Sequence, residues 1–276
     1  MKAVVTRITL ICLSLVLISL FFADSSYAKI DPANVAGLWL FDEGEGDEVE
    51  DSSGNGNHGS ILGSKGKWVD GKFGSALELD GSNHVSVPDS DSLDMSDQIT
   101  VMFWFYSEKK MADMWVDRQV IVGKSHLEYD IGIYMDGQIH TYTSDGAGSY
   151  DEGIMASMAG MLPDKEREWE LGKWYHIAWT LDVQSEAAYV NGIKIGDHTK
   201  ANPETTPGAN PLEIGHRVGG SLPLVGAVDE VIVLNTVLEE EDILFAAEQG
   251  LEKALGITAV SLVDRLTTTW GFIKEQ

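Results

Sequence analysis

Short apolar runs separated by glycine- and asparagine-rich turns recur along most of the chain, and this spacing constrains the fold more than any other feature. Residues 35–41, 76–79, 84–87, 99–106, 120–123, 130–135, 138–143, 174–182, 187–190, 193–195, 212–215 and 228–234 read as strands, rich in β-branched and aromatic side chains that suit a pleated surface. Asp136-Gly137 and Asn191-Gly192 are two-residue hairpin signals, because both central positions of the favoured turn need φ > 0. The run Asp51-Ser52-Ser53-Gly54-Asn55-Gly56-Asn57 is a turn for the same reason. Asp80-Gly81-Ser82-Asn83 joins its two flanking runs as a hairpin-like pair. About a dozen strands at hairpin spacing predict an all-β sandwich or barrel.

Only the end of the pattern is helical. Leu238, Asp242, Phe245 and Gln249 fall three or four apart, Glu239, Glu240 and Glu241 sit where the helix dipole favours acids, and Gly250 is placed to end the helix. Residues 144–170 are acidic, methionine- and glycine-rich and weakly patterned, and read as a long inserted loop. With no repeat and no Pro/Gly-rich linker, the chain divides into a leader (1–28), one domain (29–250) and a tail (251–276).

The leader has the layout of a secretory signal peptide. Lys2 and Arg7 precede an apolar run over residues 8–22, and Ser26-Tyr27-Ala28 forms a small-x-small cleavage site. The run falls short of the ~20 apolar residues of a bilayer span. Cleavage after Ala28 would remove Cys12, the only cysteine, so the exported body cannot form a disulfide and must rely on core burial or metal. The whole chain carries a net charge of −25, and the leader takes away two basic residues and one acid. So negative a surface argues against nucleic acid and anionic membranes and favours cations.

Several segments together resemble the laminin-G-like jelly rolls of the concanavalin-A-like lectin/glucanase superfamily. They are Gly37-Leu38-Trp39-Leu40-Phe41-Asp42-Glu43-Gly44, the turn from Asp51 through Gly59, Trp68-Val69-Asp70-Gly71-Lys72-Phe73-Gly74-Ser75-Ala76-Leu77, Trp174-Tyr175-His176-Ile177-Ala178 with Tyr189-Val190-Asn191-Gly192, and Gly226-Ala227-Val228-Asp229-Glu230-Val231 followed by the helix. Order and spacing carry the match over residues 35–249, and residues 108–118, 144–170 and everything after Gly256 depart from it. The resemblance implies a two-sheet antiparallel jelly-roll sandwich with a short C-terminal helix. It also implies that the first and last strands are neighbours, a bound structural Ca2+, and a polysaccharide or glycoprotein ligand.

If those strands pair, Asp42 and Asp229 converge, with Asp51 and Asn55 in a turn at the same edge. Such oxygen donors suit Ca2+, a hard cation taking ~6–8 oxygens. The same aspartates could instead cap turns through their own backbone. His140, Tyr142 and Arg217 are the candidate ligand-binding side chains, while Trp39, Trp104, Trp174 and Trp179 lie within strand patterns and read as core.

Catalytic signatures do not emerge. The related glucanases need two carboxylates on one face of one strand, whereas Asp229 and Glu230 are adjacent and alternation would face them oppositely. The seven histidines show no zinc-type spacing, and there is no Gly-x-Ser-x-Gly, EF-hand or phosphate loop. A non-catalytic secreted binding or adhesion module is the leading expectation, with a structural or assembly protein as the alternative class and a divergent glycoside hydrolase behind both.

Overall fold

The structure, a computed structural model, describes residues 30–95, 97–108, 118–125, 127–134, 137–144, 150–152, 156–157, 169–183, 185–199 and 207–257. The leader, most of the 144–170 insertion and residues 258–276 lie outside that set. The strands are β1 (Val35–Trp39), β2 (Glu48–Val49), β3 (Gly59–Gly63), β4 (Lys67–Asp70), β5 (Ser75–Asp80), β6 (Asn83–Val87), β7 (Gln98–Ser107), β8 (Arg118–Ser125) and β9 (Tyr129–Tyr134). They continue as β10 (Gln138–Ser144), β11 (Tyr150–Glu152), β12 (Ala156–Ser157), β13 (Trp174–Asp182), β14 (Ser185–Val190), β15 (Ile193–Thr199), β16 (Leu212–Ile214) and β17 (Val225–Leu234). Two helices follow, α1 (Glu240–Gln249) and α2 (Leu251–Ala254).

The strands form two antiparallel sheets, as a jelly-roll sandwich requires. The first runs β15-β14-β13-β7-β17-β5-β4 with β1 also on β17, and the second runs β11-β10-β9-β8-β16-β6-β3-β2 with β12 also on β10. The opening and closing strands pair as expected, with Leu38 opposite Ile232 and Trp39 opposite Val231. Asn191-Gly192 makes its hairpin turn with φ of 51° and 79°.

Alternation divides the first sheet cleanly. Val101, Phe103, Phe105, Val231 and Val233 face the second sheet, against Val85, Val87, Ile121, Ile131, Ile133 and Ile214. Met102, Ala178, Ile232 and Leu234 face outward and are covered by Ile243, Ala246 and Leu251 of the helices. The first sheet is thus buried on both sides, which is why its strands read as continuous apolar runs. No corresponding second apolar cluster covers the outer side of the second sheet among the described residues.

Two expectations need correction. The pair flanking Asp80-Gly81-Ser82-Asn83 is not a hairpin: β5 belongs to the first sheet and β6 to the second, so this turn is a corner between layers. Turn chemistry reverses the chain either way, and only the packing of Leu77 and Leu79 against Val85 and Val87 decides it. The insertion carries strand after all: β11 and β12 pair with β10 and extend the second sheet's edge. The packed body also passes residue 250. Gly250 ends α1 with φ +85°, but α2 follows at once, and its Leu251 and Ala254, with Leu255, are buried beside Ile30. The Ile30 N–H donates to the Ala254 carbonyl at 3.0 Å, so the two ends of the body meet.

Candidate functional site

β17 is flanked on one side by two strands in succession. β5 pairs with Val225–Val228 and β1 with Val231–Leu234, leaving a seam between them at Asp229 and Glu230. On the other side the register with β7 slips at the same point, between Asp229 and Ile232. This bulge overrides simple alternation. Val228 and Val231 both reach the core, so two residues rather than one lie between inward positions, and Asp229 and Glu230 share the helix-covered side. The sequence expectation that they face oppositely fails for this reason.

The loop between β4 and β5 closes the seam. Asp229 Oδ2 accepts the Phe73 N–H at 3.0 Å and Asp42 Oδ1 accepts the Ser75 N–H at 2.8 Å. Gly71 and Gly74 permit this approach: a Cβ at Gly74 would lie 2.0 Å from Asp42 Oδ1, and one at Gly71 would lie 2.7 Å from Asp229 Oδ2. The Gly-Lys-Phe-Gly motif is therefore a cradle for two carboxylates. Phe41 and Glu230 both adopt left-handed φ, 58° and 46°, next to Asp42 and Asp229 respectively, a strained arrangement for bulky residues.

Asp229 is fully buried and its Oδ1 has no hydrogen-bond partner among the described residues, whereas Asp42 is exposed. Burial, reinforced by Asp42, raises the Asp229 carboxyl to about 7. Burial and then Asp229 raise Glu230 to about 8, and both Glu230 oxygens accept the Leu251 N–H at the start of α2. Asp229 Oδ1, a buried carboxylate oxygen without a partner among the described residues, is an oxygen donor of the kind a hard cation takes, and the solvent-open Asp42 carboxylate interacts with it.

Asp51 and Asn55 stand apart from this set. Asp51 Oδ1 accepts the N–H groups of Leu38 and Ser53, and Oδ2 accepts the Ser53 hydroxyl and the Asn57 N–H, at 2.8–3.0 Å. Asn55 donates through Nδ2 to the carbonyls of Val35 and Ala36. Both latch the turn to β1, through the two carboxylate oxygens of Asp51 and the amide nitrogen of Asn55. The turn-capping reading of Asp51 is what its geometry shows. Beside it, Glu43, Glu45, Asp47, Glu48, Glu50 and His58 line a groove of about 740 Å3.

The outer face of the second sheet gathers the other three candidates. Arg217 donates to Asp130 Oδ2 through Nε at 2.9 Å, and its guanidinium lies 5.0 Å from the centre of the Tyr142 ring. His140 stacks on Tyr134 at 3.3 Å between ring centroids, Tyr142 lies 6.3 Å from His140, and the two tyrosine hydroxyls are 2.8 Å apart. Arg118, which composition did not single out, donates to both tyrosine hydroxyls and packs over both rings. His140 and Tyr142 are only 5% and 4% exposed, so they support the face, while Tyr134, Arg118 and Arg217 are the partly exposed members. Arg118 and Tyr134 had a usable signal: they sit at the ends of β8 and β9 in register with each other.

Two stacked sheets, one sealed by helices and one carrying aromatic and guanidinium groups on its outer side, define a jelly-roll sandwich. The chain belongs to the concanavalin A-like lectin/glucanase superfamily, whose Laminin_G_3 family matches residues 79–244. No curated protein matches the chain at a significant level. Among solved structures it is similar to domain 4 of AbnA, an extracellular GH43 arabinanase of Geobacillus stearothermophilus in complex with arabinotriose, at 21% identity and a TM-score of 0.59 over 78% of this chain and 98% of that one. It is also similar to the botulinum neurotoxin serotype D ligand-binding domain in complex with N-acetylneuraminic acid, at 13% identity and a TM-score of 0.59, covering 79% of this chain and 51% of that one. A third likeness, at 12% identity and a TM-score of 0.57, covering 79% of this chain and 52% of that one, is the binding domain of botulinum neurotoxin DC in complex with rat synaptotagmin II. The chain spans about half of the toxin domains and nearly all of the arabinanase domain. Among the described residues no helix is long and apolar enough to cross a membrane.

Proposed function

We propose that this chain is an exported, non-catalytic carbohydrate-binding module whose sandwich is stabilised by Ca2+. The observation that carries the ligand reading is the Tyr134–His140–Tyr142 stack flanked by Arg118 and Arg217 on the outer side of the second sheet. Ring faces offer sugars an apolar platform, and fixed guanidinium donors supply directional hydrogen bonds to hydroxyl or carboxylate groups. Similar domains have been solved with arabinotriose and with N-acetylneuraminic acid, which makes pentose oligosaccharides and sialylated glycans the first ligands to try. The leader layout supports export.

Against hydrolysis stands the placement of the two acids with the most displaced protonation. Asp229 and Glu230 are 0% and 5% exposed, shut behind the Gly71–Gly74 loop and α2, where no sugar ring can reach. Their role is structural, and Ca2+ at Asp42 and Asp229 would relieve an unpaired buried carboxylate oxygen.

Glycan-array binding followed by calorimetry tests the ligand reading. Binding should be lost in Arg217→Lys, which keeps a charge beside buried Asp130, and in Tyr134→Ala, with both variants still folded by circular dichroism. Binding unaffected by both would remove the face from consideration. Retrieval of a protein partner with no glycan bound would favour the assembly reading, for which the synaptotagmin complex of a similar fold is the supporting precedent.

A further inference from the structure

A different cluster lies on β6 and β16. In their antiparallel register Glu213 stands opposite Ser86 and Ile214 opposite Val85. Val85 and Ile214 are core, so alternation sends His84 and Glu213 to the outer side of the second sheet. Gly215 then turns the chain with φ +95° and brings His216 back over His84, with ring centroids 3.6 Å apart. One ligand atom from each of the three side chains falls within 4.8 Å of the other two.

The polar atoms of this cluster are left waiting. Ser86 donates its hydroxyl to Glu213 Oε1 at 3.0 Å and so fixes the carboxylate. Glu213 Oε2 and His216 Nδ1 are buried with no hydrogen-bond partner among the described residues, although Oε2 is 3.5 Å from His84 Nε2. Buried acceptors without donors are costly, about 1–3 kcal/mol each. Burial, with His216 alongside, lowers His84 to about 4, and burial lowers His216, so both rings are neutral and offer lone pairs.

We propose that His84, Glu213 and His216 form a binding site for a divalent transition metal, zinc by ligand type, independent of the calcium seam. Two imidazoles and one carboxylate are a zinc donor set that leaves a fourth position open. Calcium, which takes oxygen donors in larger number, is poorly served there. His216 directly precedes Arg217 of the proposed ligand face, and His84 and Glu213 lie on the outer side of that same sheet. Ser86 acts as the outer-shell partner that orients Glu213.

The full chain, stripped by chelator and dialysed, is titrated with zinc chloride by calorimetry, and its cobalt form is examined by visible absorption. One equivalent of zinc, a raised melting temperature and the intense visible bands of four-coordinate cobalt are expected. Removal of one ligand in His216→Ala or Glu213→Gln should abolish uptake, and Ser86→Ala should weaken it by about 10-fold or more. Asp229→Asn should leave zinc binding unchanged while removing the calcium response, which separates the two sites. No zinc uptake by the folded wild-type chain, or uptake unchanged in a folded His216→Ala Glu213→Gln double variant, overturns the assignment. The wild-type cobalt spectrum decides the matter even if a variant fails to fold.

Discussion

Asp42, three residues past β1, and Asp229 of β17 grip one loop, the first holding the Ser75 N–H at 2.8 Å and the second the Phe73 N–H at 3.0 Å. Each uses one oxygen for the loop. Asp229 keeps its other oxygen buried and without a hydrogen-bond partner among the described residues.

Ca2+ should therefore raise the melting temperature of the full chain, and chelator should lower it by several degrees. In Asp229→Asn the difference between the two conditions should vanish, because an amide fills the orphaned position without charge. Differential scanning calorimetry with calcium and with chelator measures this. A melting temperature indifferent to calcium in the wild type would remove the seam as a metal site.

Asp51→Ala should behave differently. It loses an acceptor for four donors, two of them backbone N–H groups of Leu38 and Asn57 in buried settings, at a cost of about 3 kcal/mol. That loss should be the same with and without calcium, since Asp51 latches the turn. Urea unfolding under both conditions checks it.

Lys124 is entirely buried and ion-paired to Asp89, Asp94 and Glu128. Burial alone would depress its ammonium, but the hydrogen bonds it donates to the three acids outweigh that and raise it. Lys124→Met should cost about 3–5 kcal/mol by stranding Glu128, which is nearly as buried, without a counter-charge. Chemical denaturation of the variant gives the figure directly, and a loss below about 1 kcal/mol would show that the acids are already solvated.

pH should act in two opposed windows. Glu213, Asp229 and Glu230 are raised by burial to about 7, 7 and 8, so the folded state holds protons that the unfolded chain has released. In metal-free buffer these acids should make stability fall as pH rises from about 4 to 8, and in the upper window from about 6.5 to 8 they act alone. His84 and His176 are lowered by burial to about 4 and 3, so between about 4 and 6.5 the unfolded chain takes up protons that the fold refuses, which offsets part of the stability that the acids gain on acidification. Saturating calcium should flatten the upper window by keeping Asp229 ionised. Melting curves across pH, with and without calcium, test both arms.

What the residues revealed in advance depended on how local the cause was. The meeting of Asp42 with Asp229 followed from one premise, that the end strands pair, and the Asn191-Gly192 turn from φ preference alone. The shared facing of Asp229 and Glu230 did not follow, because a bulge is fixed by Val228 and Val231 both seeking the core. The corner at Asp80–Asn83 was hidden because turn residues do not state which layer receives the next strand. The Lys124 cluster and the His84–Glu213–His216 group were invisible to spacing rules: Ser86 and Glu213, which touch, are 127 residues apart in sequence.

The bond from Ile30 to Ala254 has a practical corollary. Entrance and exit of the folded body lie together beneath the helices, on the back of the molecule, with two layers of strand between them and the tyrosine stack. Fusion or surface attachment through either end should leave the opposite side unobstructed, and a circular permutant that splices these neighbours needs only a short bridging peptide.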